Sequence, residues 1–130
     1  AIYKLQLFIE DFPTSDNVIS SESAITSLRY NLARKDFESG RMYLKLEEYE
    51  SAIIYFQLVL DEYYDTVIAD EARKSIVFAY LLDEERDEAI RYLDSQKQNF
   101  FSMDNFYEAQ SFIDNSESGI NLIQYYNIFK

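Results

Sequence analysis

Gly40-Arg41-Met42-Tyr43, followed by Ala52-Ile53-Ile54-Tyr55-Phe56, is the stretch that decides the architecture. From Tyr43 to Ala52 is nine residues, and four more reach Phe56. The same steps return downstream, nine from Tyr80 to Ala89 and four to Leu93, so the two copies are offset by 37. A truncated copy opens the chain with Ala1, Leu5 and Pro13. Its step of twelve from Ala1 to Pro13 also links Ala52 to Tyr64 and Ala89 to Phe101. Within the first full copy, Tyr49, Ala52, Ile53, Phe56, Val59, Leu60 and Tyr63 fall at helical steps of three and four, which marks one apolar helix face.

The spacing has a physical cause. Small residues such as Gly40 and Ala52 let two antiparallel helices approach closely, and Tyr43 and Phe56 fill the gaps beside them. One helix pair cannot bury its apolar face alone, so pairs stack. The period is near the roughly 34 residues of a tetratricopeptide (TPR) repeat. Gly40, Tyr43, Ala52 and Phe56 match the second half of that signature, while Asp36 and Ser39 stand where its early Trp and Leu belong. The expected fold is all-α, with TPR-like antiparallel helix-pair repeats forming a short right-handed superhelical stack. Its repeat-packing positions are Gly40, Tyr43, Ala52, Phe56, Tyr80, Ala89 and Leu93.

Working outward, residues 1–97 read as repeats and 98–130 as an aromatic tail whose helices cap the stack. A partial repeat covers 1–13 and ends at Pro13, which cannot continue a helix. Thr14 to Ser21 is polar and loop-like. A long linking helix is expected over about 21–46, with Ser20 or Ser21 as its cap. Helix pairs follow to residue 97, with a turn and cap at Asp65-Thr66 and a polar turn at Asp83 to Arg86. In the tail, Met103 to Phe112 and Ile120 to Phe129 read as two short helices separated by Asn115-Ser116-Glu117-Ser118-Gly119. The chain opens at Ala1 already in helical rhythm, through Leu5, Phe8, Ile9 and Phe12, which reads as a start inside a longer protein.

Composition narrows the function. The chain has 130 residues, 48% of them apolar, enough for one continuous core. Only two Gly and one Pro occur, which argues for long helices rather than many turns. The net charge of −12 would repel a nucleic-acid backbone and an anionic lipid surface. No run of about 18 apolar residues is present, so no direct membrane insertion is expected. With no His and no Cys, the usual general base, nucleophile and zinc ligands are missing. There is no Asp-x-Asp-x-Asp-Gly loop and no Gly-rich phosphate loop. The expectation is a protein that binds other proteins, with no catalytic residue, metal, cofactor or small-molecule substrate.

Several segments carry a family resemblance: Phe8-Ile9-Glu10-Asp11-Phe12-Pro13-Thr14-Ser15, Leu32-Ala33-Arg34-Lys35 running to Gly40-Arg41-Met42-Tyr43, Ala52-Ile53-Ile54-Tyr55-Phe56, Leu60-Asp61-Glu62-Tyr63-Tyr64-Asp65-Thr66 and Asp70-Glu71-Ala72. Over residues 1–97 the chain resembles the C-terminal repeats of the BamD family, the TPR lipoprotein of the bacterial outer-membrane β-barrel assembly machine. That family usually has Pro where Tyr64 stands. The resemblance implies a scaffold subunit at the periplasmic face of the outer membrane, held by a lipid upstream of Ala1. It implies other protein subunits as partners, chiefly the periplasmic part of the barrel-forming subunit. Other TPR adaptors of the envelope, in cell division or at the wall, and TPR peptide receptors are the alternatives.

Charge is uneven along the chain. Five of the 12 basic residues are Arg29, Arg34, Lys35, Arg41 and Lys45, whereas Leu46 to Ala72 holds eight acidic residues and no basic one. In TPR stacks the first helix of each pair lines a concave groove. The register of Gly40 and Tyr43 places Arg34, Phe37, Arg41, Leu44 and Lys45 toward it, and the offset of 37 adds Lys74, Phe78 and Leu81. Such a strip would suit an acidic helix or a chain terminus, because arginine pairs carboxylates in bidentate fashion. The competing reading is local pairing, of Glu38 with Arg41 or Arg34 with Glu38.

Overall fold

A computed structural model describes residues 16–117. Its elements are α1 (Asp16–Lys45), α2 (Tyr49–Glu62), α3 (Ile68–Leu82), α4 (Arg86–Gln96) and α5 (Met103–Glu117). No strand occurs among the described residues, and none of their helices is long and apolar enough to cross a membrane. The partial repeat at 1–13 and the second expected tail helix, Ile120 to Phe129, lie outside them.

Consecutive helices pack against one another, and α3 touches all four others. That central place explains its composition. Ile76, Val77, Phe78 and Ala79 are buried all round, and Asp70, Arg73, Lys74 and Ser75 are buried with them.

The turns that end α1 and α3 repeat one another bond for bond. The Glu48 N–H donates to the Tyr43 carbonyl at 2.9 Å, and 37 residues on the Glu85 N–H donates to the Tyr80 carbonyl at 2.8 Å. Glu47 donates to Leu44 at 3.1 Å and Glu84 to Leu81 at 3.2 Å. Glu47 and Glu84 have φ of 62° and 60°, so each ends its helix in the left-handed conformation that satisfies the last carbonyls. Glycine is the usual occupant of that place; here both copies use glutamate. Tyr43 stacks on Tyr55 with centroids 5.3 Å apart, and their counterparts Tyr80 and Tyr92 lie 6.2 Å apart.

Gly40 is where the helices of the first pair come closest. A Cβ there would lie 2.5 Å from the ring of Phe56, itself fully buried and 5.5 Å from the ring of Phe37. At the equivalent positions of the next pair stand Val77 and Leu93, both buried, so the volume is traded between partners.

Three boundaries differ from the sequence reading. α1 starts at Asp16, inside the segment read as a loop. Nothing between Asp16 and Ser21 is Gly or Pro, and an acidic residue at the start favours the helix dipole. The N-cap of α3 is Val67 rather than Thr66, whose hydroxyl instead donates to the Tyr63 carbonyl at 2.7 Å. α5 continues through Asn115 and Ser116, read as a spacer, to Glu117; the Ser116 hydroxyl donates to the Ile113 carbonyl at 2.6 Å.

Candidate protein-binding surface

The eight groove candidates separate by exposure. Phe37, Leu44, Phe78 and Leu81 all belong to the core, and Lys74 is only 4% exposed. Phe37 is buried within the first helix pair, 5.5 Å from the Phe56 ring, and Phe78 and Lys74 are covered by α5. It packs on α3, seats Phe112 against Phe78 at 5.5 Å, and brings Glu108 to 3.1 Å from the Lys74 ammonium, which also meets Glu71 at 2.9 Å. The partly apolar open strip expected from the sequence is thereby corrected: its apolar members hold the helices together. The accessible cations are Arg34 and Lys45, with Arg41 half-buried.

Arg34 and Arg41 make the local contacts that sequence spacing allows. Arg41 lies 3.3 Å from Glu38 and its guanidinium 6.0 Å from the Phe37 ring, while Arg34 lies 3.8 Å from the same carboxylate. Exposed pairs of this kind contribute between nothing and about 1 kcal/mol, so a partner's carboxylate would exchange with Glu38 at little cost.

Asp70 is the residue the sequence reading left without a role. It is 2% exposed and accepts four hydrogen bonds: from Arg73 at 3.0 Å, the backbone N–H groups of Phe101 and Ser102 at 3.0 Å each, and the Asn105 amide at 2.8 Å. Arg73 is fixed in turn by Gln96 at 3.2 Å and stacks on Phe100 and Phe101. One buried carboxylate thus ties the start of α5 to the second helix pair. No spacing signal reveals it, because the residue 37 positions earlier is Ala33 and the feature does not repeat.

Electrostatics follow burial and pairing. Burial pushes the Lys74 ammonium down, but its bonds and charge interactions with Glu71 and Glu108 outweigh that and leave it above the usual lysine value. Burial raises the Tyr92 phenol well above the usual tyrosine value, with Arg73 pulling back, and its hydroxyl has no hydrogen-bond partner among the described residues. The hydrogen bond from Arg29, 2.7 Å away, holds the Asp65 carboxyl below the ordinary carboxylate range.

The YfiO family model, described as an outer membrane lipoprotein, matches residues 1–94. The outer membrane protein assembly factor BamD of Rickettsia prowazekii (strain Madrid E) is 34% identical over 84 residues. That alignment covers 65% of this chain and 34% of the relative, so the chain spans only about a third of the curated protein it matches. α5 lies beyond the residues matched by the family model.

Proposed function

We propose that this chain, which belongs to the YfiO family of outer membrane lipoproteins, is a protein–protein interaction scaffold within the machinery that assembles β-barrel proteins in the outer membrane. The family match across both helix pairs is the observation that carries the reading, and the name of the Rickettsia relative, an assembly factor, supplies the process. The partner is another protein subunit, the periplasmic part of the barrel-forming subunit. The site is the periplasmic face of the outer membrane, reached through a lipid on a residue upstream of Ala1. The chain performs no catalysis: with no His and no Cys, it contributes shape and charge.

Arg34, Arg41 and Lys45 on the outer part of α1 are the proposed contact for carboxylates of that partner, since a rigid helix presents them without a large ordering cost. Reversing Arg34 and Arg41 together to Glu in the full-length protein is expected to weaken capture of the barrel-forming subunit about tenfold or more, on the scale of lost interfacial charge pairs. Unchanged capture by the double variant would remove the α1 contact. Intact mass of the mature full-length protein tests the anchor: a lipidated N-terminus agrees with it, and an unmodified soluble protein would favour a free envelope adaptor.

A further inference from the structure

Tyr64 and Phe101 occupy equivalent places in successive repeats, 37 residues apart, each in the turn that leads from one helix pair to the next. Both rings are open to solvent, 62% and 66% exposed, and Val67 beside them is 73% exposed. Between the two turns lies a cleft of about 560 Å³, lined by Leu60, Tyr64, Phe100 and Phe101 with Arg73 and Gln96. A second hollow of about 290 Å³ shares Phe101 with it, and a third of about 170 Å³ shares Asp65, Thr66 and Val67 with the second. The three form one furrowed edge of the stack. An aromatic repeated at the same exposed place and flanking a cleft differs from apolar residues scattered singly, which are ordinary on a surface.

The charge of this edge selects its occupant. Asp61, Glu62 and Asp65 are exposed around the first turn, inside the stretch from Leu46 to Ala72 that holds no basic residue. Arg29 is paired with Asp65, and Arg73 is paired with Asp70. Lys97, on the second turn, is exposed and lies over the Phe106 ring, so the negative charge of the edge is concentrated at the first turn. We propose that the edge between Tyr64 and Phe101 is a docking surface for a basic segment of a partner protein that seats a large apolar side chain in the cleft. This surface is separate from the α1 cations and takes the opposite charge. Aromatic anchors surrounded by polar groups are the usual centre of such contacts.

The test is fluorescence anisotropy of a labelled synthetic peptide of alternating Lys and Leu with one central Phe, titrated with the full-length protein, beside a control peptide with Glu for each Lys. Tyr64→Ser and Phe101→Ser change exposed rings, so circular dichroism should stay as in the parent. Tyr107→Ser, on the exposed face of α5 at 61% exposure, controls for apolar surface elsewhere. The expected result is binding of the Lys peptide only, weakened about tenfold by either turn variant and unaffected by Tyr107→Ser. The proposal is overturned if the Lys peptide does not bind, or if the Glu peptide binds equally. It is also overturned if the turn variants bind like the parent, which would mean attraction to net charge alone. Sedimentation that finds a dimer dissolved by Tyr64→Ser would assign the edge to a second copy instead.

Discussion

Gly40 and Phe56 occupy a single space between them, and the next repeat divides the same space between Val77 and Leu93. Gly40→Ala drives a methyl into a buried ring and should cost about 1–3 kcal/mol, the range for overpacked cores. Adding Phe56→Leu should recover part of that loss in urea unfolding, because it restores the division of volume seen in the second pair. Strictly additive losses would show that the two residues do not share the space. Glu84 gives a second test at this scale. With φ at 60°, Glu84→Val should destabilise by about 1–2 kcal/mol, whereas Glu84→Gly should be neutral or slightly stabilising. Equal effects of the two substitutions would contradict the left-handed end of α3.

At the scale of elements, α5 is attached through polar contacts as much as apolar ones. Asp70→Ala would leave Arg73 and two backbone N–H groups without their acceptor, at a cost of about 3–5 kcal/mol, as for other broken buried pairs. Hydrogen exchange should show amides 103–117 losing protection before those of α2; uniform loss across all helices would refute the anchoring role. This element also marks where the sequence ceased to be legible. The helix pairs could be read because Tyr43 and Ala52 recur 37 residues on as Tyr80 and Ala89, with Leu93 in the place of Phe56, and recurrence survives uncertainty about any one position. The tail has no second copy to align with, so its docking through Asp70 and Lys74 left no pattern. The same gap misplaced Lys74, Phe78 and Leu81: their register within the repeat gave no sign that a further helix covers them.

For the whole molecule, the absence of His leaves no side chain with an ordinary pKa between about 5 and 8, and among the described residues the perturbed groups move away from that window. Lys74 and Tyr92 are both raised, so their contributions are complete below the unfolded values near 10 and are lost as pH climbs through the folded ones. Asp65 is lowered, so its contribution is complete above about 4 and is lost as pH falls through its folded value. Stability should therefore be level from about pH 5 to 9 and decline above about 10, with Tyr92→Phe softening the decline. A step in unfolding midpoint between pH 6 and 8 would contradict this assignment. On the proposed reading, the α1 cations and the exposed rings at the turns would serve two different neighbours, as a scaffold in a multi-subunit assembly requires. The most direct measurement is to deplete the full-length protein in its own host and quantify folded β-barrel proteins in the outer membrane. Folded barrel proteins should fall while inner-membrane helical proteins hold steady. Barrel-protein levels that stay constant after the protein is gone would contradict the proposed function.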